Sequence, residues 1–532
     1  MGLWKRSAPP AGNEISHSNG KDAQAIQDEK SSAGQSSGFK LNKAGDGDEA
    51  LNLFSSTADV REPIDPLEEK KVVRKIDLMI LPNTHELEAN KDRFFYIDKT
   101  TLSYAAIFGI EEDMGLHGSQ YSWLSSIFYF GFLAWALPTN LLLQRLPVGR
   151  YLGFNIFMWG FFLMLQAAAH NFASLAALRA LAGAAEAVSD PSFMLITTMW
   201  YTRRQQPVRM GLWYTANGFG IALGGLLGFG IGHIKGALPS WKYEFLIIGA
   251  LCCCWGIVIP VTAKGLTLRE KRIAVERLRG NQTGVENKHF KWYQVRETFT
   301  DIKTYLFFIL GCVCNVPNGG ISNFGTLIIK GFGFSTLVTT LMQIPYGAII
   351  AISILSCVFA NDYMSRKGRQ TRVWFVLLYL CPNICGAFGL RFLPENNQAG
   401  RLTCYYLTGP YNAAFVLLLS ITIANTAGHT KKVLTNAILF LGYCTGNIIG
   451  PFFYLSSQEP RYELGIWSMI VSHLLEACIV LLLRFLLSRE NKRRDRVQSQ
   501  EAGGLEGRDM DATAFSDMTD RLVCSGPELI PI

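Results

Sequence analysis

The amino-acid sequence predicts an all-α polytopic membrane protein built as two helical bundles. Three observations carry that reading. First, 49% of the 532 residues are hydrophobic and only 17% charged, with the polar residues gathered at the ends, so apolar segments concentrate in the middle as in no average soluble domain. Second, stretches long enough for a helix to cross about 30 Å of hydrocarbon begin near Ser122, Tyr151, Phe172, Met210 and Tyr243, then near Thr304, Ser335, Arg372, Leu402, Val433 and Leu464. A charged connector, Lys264 to Lys303, separates the two sets. Third, Arg145 and Arg150, then Arg203, Arg204 and Arg209, then Arg366, Lys367 and Arg369, then Lys431 and Lys432 fall on alternate loops, which the positive-inside rule marks as cytoplasmic. The intervening loops, at Glu111 to Asp113, His170 to Asn171 and Glu459 to Glu463, are acidic or poor in cations. Both termini are therefore expected inside.

Residues 1–70 are rich in Ser, Gly, Lys, Asp and Glu and cannot bury enough apolar surface to offset ordering, which predicts a disordered cytoplasmic tail. Residues 1–30 hold no apolar core of the length a cleavable signal needs. An N-terminal transmembrane bundle is expected over 71–259, a cytoplasmic linker over 260–303, a C-terminal bundle over 304–490 and a cytoplasmic tail over 491–532. Eleven spans are odd in number, so parity asks for a twelfth crossing between Arg74 and Glu111. There Glu86, Glu88, Lys91, Asp92 and Arg93 interrupt the apolar residues. At about 3 kcal/mol each they oppose insertion by roughly 15 kcal/mol, so this first span reads as disrupted, with at most a helix from Thr100 to Ile110. Arg489, Lys492, Arg493, Arg494 and Arg496 form a basic stop at the other end. Cytoplasmic loops account for the net charge of +8, and no nucleic-acid partner is implied.

Eleven of the twelve cysteines are scattered through the spans, with Cys252, Cys253 and Cys254 consecutive, and behave as small apolar residues. Cys381 and Cys385 share a helix face, but no histidine pair accompanies them, so no metal site and no cofactor are expected. Asn281-Gln-Thr fits a glycosylation acceptor, yet lies in the linker, which glycosylation does not reach. Without a nucleophile-base pair or phosphate loop, the chain does not read as an enzyme.

The most informative stretch is RALAGAAEAVSDPSFMLITTMWYTRRQQPVR, from Arg179 to Arg209, which sets an arginine, a glutamate and Asp190 inside a membrane span. Arg179 and Glu186 are two helical turns apart, roughly 10 Å along one face. Each charge costs on the order of 3 kcal/mol to insert, so such residues tend to face a wet cavity, a substrate or a proton route. A guanidinium offers fixed paired donors to a carboxylate, which makes Arg179 the candidate anchor of an anionic solute. Glu186 is the candidate proton carrier, with Asp98 the alternative. Neutral groups complete the expected pocket: Tyr214 and Asn217, then Asn315, Asn318 and Asn323 about a helix break at Pro317-Asn318-Gly319-Gly320, then Tyr411, Asn412 and Asn447. Mutual neutralisation of Arg179 and Glu186 at a helix contact is the plainer alternative.

The loop NLLLQRLPVGRYLG, with Arg145, Gly149 and Arg150, and the loop ANDYMSRKGRQTR, with Asp362, Arg366, Gly368 and Arg369, stand at equivalent places in the two halves. Each reads as a tight glycine turn presenting guanidinium groups, a breakable latch for alternating access. Gly218, Gly220, Gly224, Gly225, Gly228, Gly230 and Gly232 give the fifth span a small-residue seam for close helix contact.

The segments QRLPVGRYLG, RALAGAAEAVSDPSFMLITTMWYTRRQQPVR, GLWYTANGFGIALGGLLGFGIGH, EKRIAVERLRGNQTG and NVPNGGISNFGTLIIKGFGF resemble the fungal allantoate permease family, the anion:cation symporter branch of the major facilitator superfamily. The similarity runs from about Lys70 to Arg496. It implies a major-facilitator-like bundle of six plus six helices, its first span disrupted here. It further implies proton symport of a small organic anion such as allantoate, ureidosuccinate, a dipeptide, nicotinate, pantothenate or biotin, by a monomer in the plasma membrane. The family's Arg, Gly and Glu of the fourth span match Arg179, Gly183 and Glu186, and its Asp-Lys-Thr matches Asp98, Lys99 and Thr100. Two departures stand out: the charged first span, and Ala136 where the family commonly has a glutamate. A permease body that senses a nutrient without carrying it, or an inactive copy, is the rival reading.

Overall fold

The long apolar segments fold as helices joined by short connectors. In the computed structural model, residues 65–80, 93–202, 205–262, 267–279, 291–368, 371–426 and 428–501 are described. The tail before residue 65, the charges Glu86, Glu88, Lys91 and Asp92, Arg203, Arg204, Asn281, Arg369 and the tail after 501 lie outside the described residues.

The helices run α1 (Pro66–Ile80), α2 (Arg93–Ile107), α3 (Ile110–Asp113), α4 (Gln120–Arg145), α5 (Val148–Gln166), α6 (Phe172–Glu186), α7 (Ser189–Trp200), α8 (Gln206–Gly232) and α9 (Ser240–Thr262). Then come α10 (Leu268–Arg279), α11 (Trp292–Thr300), α12 (Ile302–Lys330), α13 (Thr336–Arg366), α14 (Arg372–Phe392), α15 (Gln398–Leu407), α16 (Tyr411–Ala424), α17 (His429–Ile449) and α18 (Glu463–Glu501). Eleven spans among the described residues are long and apolar enough to cross a membrane, from Gln120–Leu143 to Glu463–Arg493. They are the eleven segments expected from hydropathy. Two of the spans are interrupted. Between α6 and α7, Pro191 lacks the N–H that would bond back to Ala187, and between α15 and α16 Pro410 begins a new helix.

Two expectations are corrected here. Span seven is not broken at Pro317: α12 is continuous from Ile302 to Lys330 with the proline inside. The adjacent glycines serve close packing instead, since a Cβ on Gly319 would lie 2.8 Å from the Asn447 carbonyl oxygen and one on Gly320 would strike the Tyr454 ring. The helix expected over Thr100 to Ile110 begins earlier, at Arg93, and stops at Ile107 before Gly109, whose φ of 89° ends it. α2 remains short, but it packs between α8, α9 and α12, with Leu102, Tyr104 and Ala105 fully buried.

The segment between the two sets of spans holds two amphipathic helices. α10 docks on α1 through Val72, Ile76, Ile273, Ala274 and Tyr201, and is tied by Lys75–Glu270 at 2.8 Å and Arg269–Glu68 at 2.9 Å. Asp77 of α1 also reaches Arg209 of α8 at 2.8 Å. The hydrogen bond from Lys75 holds the Glu270 carboxyl below its usual range. α11 caps α17: Lys431, fully buried, reaches Glu297 at 2.8 Å and Asp301 at 3.0 Å.

The two sets of spans meet most closely where α8 crosses α13. A Cβ on Gly218 would sit 2.5 Å from the Gly347 carbonyl oxygen, and one on Gly225 2.5 Å from that of Thr340. Hydrogen bonds join the two sets near the face that carries the acidic loops. Ser103 meets Thr326 at 2.8 Å, and the Tyr121 hydroxyl donates to the Asn323 carbonyl at 2.7 Å. Ser122 donates to the Pro451 carbonyl at 3.2 Å and Ser126 to that of Ile448 at 2.8 Å. The spans are therefore clasped together on the acidic-loop side.

Candidate substrate cavity

Between the two sets of spans lies a narrow cavity, part of it open to solvent. Its wall takes Thr100, Ser103 and Tyr104 from α2, Asp190 from α7, Tyr214 and Asn217 from α8, and Asn315, Asn318 and Ser322 from α12. Gln343 and Tyr346 of α13, Tyr405 of α15, Tyr411 and Asn412 of α16 and Tyr443 of α17 complete its polar part. Helical spacing explains the grouping: Asn315, Asn318 and Ser322 recur at three and four residues and so share one face of α12. On this wall amides and phenols dominate, and among the described residues that line it Asp190 alone carries formal charge.

The polar groups form small networks that hold donors and acceptors toward the cavity. The Tyr411 hydroxyl donates to Asn318 Oδ1 at 2.6 Å, and Asn318 Nδ2 donates to Asn447 Oδ1 at 2.8 Å. Asn217 Nδ2 donates to Asn412 Oδ1 at 3.1 Å, linking α8 to α16 across the cavity. Asn412 Nδ2 in turn bonds the Gly409 carbonyl exposed by the helix interruption before α16. Gln343 Nε2 reaches the Tyr405 hydroxyl at 3.5 Å.

Of the residues expected to bind solute, Tyr214, Asn217, Asn318, Tyr411 and Asn412 come together on this wall. Asn447 stands directly behind Asn318 and orients it. Asn323 does not join them: its Nδ2 bonds the Gly319 carbonyl one turn back, at 2.8 Å, and its own carbonyl takes the Tyr121 hydroxyl. Arg179 and Glu186 share the buried face of α6, as their spacing requires, yet neither lines the cavity in this conformation. The cause is glycine-mediated packing of α4 on α6: Gly183 meets the Phe128 carbonyl and Gly131 that of Ala180. Arg179 is drawn into that seam, where Nε donates to the Leu124 carbonyl at 2.9 Å and the guanidinium lies 5.3 Å from the Phe128 ring centre. Asp98 lies on α2, and its side chain is outside what is described.

The loop residues divide. Arg145 ends α4 and is exposed, as is Arg150. Gly149 makes no turn; it sits inside the first turn of α5, the bend falling at Leu146 and Pro147. Gly368 does turn the chain, with φ 73°, and Arg366 pairs with Asp362 at 2.6 Å one helical turn back.

Sequence reasoning missed Ser103, Tyr104, Gln343, Tyr346 and Tyr405, whose sole signal is polarity inside an apolar span. It also missed Glu244, fully buried on α9 with neither carboxyl oxygen hydrogen-bonded, and the His473 and Glu476 pair on α18. At the acidic-loop face, desolvation raises the Glu111 carboxyl above its usual range, and the neighbouring Glu459 and Glu112 add to the shift, against Lys330.

Comparison with known proteins adds an independent line. The profile of the Major Facilitator Superfamily matches residues 94–451. The uncharacterized transporter C757.13 of Schizosaccharomyces pombe is 37% identical across 85% of this chain and 86% of its own length. The allantoate permease of Saccharomyces cerevisiae is 31% identical across 89% of this chain and 88% of its own. A thiamine pathway transporter of the same yeast is 33% identical across 85% and 84%. Among solved structures, a bacterial homologue of the human lysosomal transporter Spinster, inward-facing and unoccupied, superposes with a TM-score of 0.54 at 14% identity, over 79% of this chain and 97% of that one. That likeness is one of fold.

Proposed function

This chain belongs to the major facilitator superfamily and, within it, to the fungal allantoate permease family, and from that premise we propose that this multi-pass membrane transporter takes up a small organic anion with a proton by alternating access. The observation that carries the reading is the cavity wall, to which both sets of spans contribute amides and phenols. Such groups match the paired donors and acceptors of a ureido or amide solute, and allantoate, ureidosuccinate, dipeptides, nicotinate and pantothenate are the candidates. Binding between two sets of helices lets the solute bias how they close, which alternating access needs.

In this conformation the amides of Asn217, Asn318 and Asn412 and the Tyr411 hydroxyl hold the solute. Arg179 reaches its carboxylate only when α4 and α6 separate. Asp190, on the wall, is placed to exchange a proton with the cavity, and Glu186 and Asp98 are the alternatives. The cation-rich face is cytoplasmic, with both termini on it, in the plasma membrane of a monomer. The clasp on the acidic-loop side then corresponds to a state closed to the outside.

The test is uptake of radiolabelled allantoate, a dipeptide and nicotinate into permease-deficient yeast expressing the chain, at acidic and neutral external pH. Acid-stimulated accumulation of at least one is expected. Saturable binding to purified protein with no accumulation of any would replace the transporter reading with that of a sensor.

A further inference from the structure

α18 supplies the most apolar of the eleven spans, with a mean hydropathy of 2.2, yet carries His473 and Glu476 in its middle. Both are sealed from solvent, at 0% and 1% exposure. A carboxylate at such a depth is costly to insert, and groups of this kind mark ion or proton routes by default. Three residues apart, they share one helix face, and His473 Nδ1 lies 3.4 Å from Glu476 Oε2. With Nδ1–H donated to that carboxyl, the other ring nitrogen is an acceptor. Nε2 is buried and meets no hydrogen-bond partner among the described residues.

Among the described residues, the groups that lie against the pair are uncharged. On α16, Tyr411 faces His473 with ring centres 6.0 Å apart, and on α12 the Cys314 thiol lies against Glu476. The two charged residues of α18 that flank the pair in sequence are engaged elsewhere: Glu463 with Arg391 of α14 at 3.4 Å, and Arg484 over the Trp374 ring. Tyr454, beside the turn that follows α17, stacks on Phe324. Tyr411 is also the cavity residue whose hydroxyl is bonded to Asn318, so a single side chain separates the pair from the solute.

We propose that His473 and Glu476 form a proton-binding site of this transporter, one wall behind its cavity. The incoming proton adds to the Nε2 lone pair. Neutral imidazole with carboxylate, net charge minus one, becomes imidazolium with carboxylate, net charge zero. A net-neutral pair is cheaper to enclose in low dielectric than a lone carboxylate, so the loaded site favours the closed, substrate-bound arrangement, and movement of Tyr411 with the solute reports to it.

This inference rests on the proton-coupled reading above, and two measurements separate their failures. In the first, full-length protein in lipid nanodiscs is titrated with acid and followed by infrared difference spectroscopy, with no solute present. The histidine protonation bands should be diminished in H473Q and E476Q relative to wild type and largely restored in E476D. Spectra of H473Q and E476Q identical to wild type would overturn the site, whatever the protein transports. In the second, one coupled proton lets each pH unit of gradient raise accumulation about tenfold. For a radiolabelled solute that the wild type accumulates, H473Q and E476Q should bring that ratio to one while solute counterflow persists; retained acid stimulation in both would refute the proposal. The double variant H473Q/E476Q keeps two mutually hydrogen-bonding amides, so it tests the same outcomes should either single change fail to fold.

Discussion

Replacing Gly218 by alanine should prise the two sets of spans apart at the middle of the α8–α13 contact and so loosen the clasp on the acidic-loop side. The added Cβ would lie 2.5 Å from the Gly347 carbonyl oxygen and 2.7 Å from the Ala351 nitrogen, both backbone atoms that cannot swing aside. Ordinary carbon contacts begin near about 3.5 Å, so α8 and α13 must separate by about 1 Å. Overpacking of this kind costs about 1–3 kcal/mol, and charged against the clasped state alone it shifts the conformational equilibrium by about 5–150-fold. The assay is labelling of a cysteine at Ser122, which is buried beside Pro451, with a membrane-impermeant maleimide in a background whose native cysteines are replaced. Labelling from the acidic-loop side should accelerate in Gly218→Ala. Gly230→Ala is the control, because a Cβ there meets nothing within 4 Å. Equal rates in Gly218→Ala, Gly230→Ala and the parent would refute the argument that this glycine contact sets the closure.

Other changes are read from single contacts. Tyr411→Phe deletes the hydroxyl bonded to Asn318 at 2.6 Å, a loss of about 1 kcal/mol, so half-saturation for the transported solute should rise roughly fivefold with surface expression unchanged. Lys431→Met leaves Glu297 without its buried cation and Asp301 with Lys303 at 3.5 Å, and the purified protein should lose about 3 kcal/mol, seen as a lowered thermal midpoint. Glu111, whose pKa is raised on folding, adds stability that is complete below the unfolded carboxylate value and is lost as pH rises through the folded one. Acidification at the acidic-loop face should therefore slow labelling at Ser122→Cys beyond the loss of reactive thiolate, and Glu111→Gln should remove that excess. Glu270 has the opposite sign: its lowered pKa gives docking of α1 on α10 stability that is present at neutral pH and disappears as pH falls through the folded value, measurable as faster amide exchange in α1.

Crossing a bilayer depends on length and composition within one segment, and those are local properties, so each of the eleven spans could be located from hydropathy alone. Positive charge on alternate loops is equally local, and the basic and acidic faces followed from it. The same arithmetic identified α2 as the weak span, since its apolar residues are too few to stand alone in lipid; burial of Leu102 and Tyr104 among α8, α9 and α12 is what holds it. The cavity was legible only where polar residues recur at helical spacing, as with Asn315 and Asn318, or flank a proline, as with Tyr411 and Asn412.

What the sequence could not determine is which buried polar group faces the cavity and which faces a neighbouring helix. Arg179 looked like a lining residue because charge in a span needs a partner, but the partner is chosen by the approach of α4 to α6 at Gly131 and Gly183. Pro317-Asn318-Gly319-Gly320 reads as a helix breaker in isolation, yet the close approach of Asn447 and Tyr454 to those glycines keeps α12 intact. His473 and Glu476 stand out in an apolar span as Arg179 does, but what they face is decided only when α16 brings Tyr411 beside His473. Hydropathy sums over one helix at a time, whereas a site is a property of distances between helices, and only the packed bundle sets those.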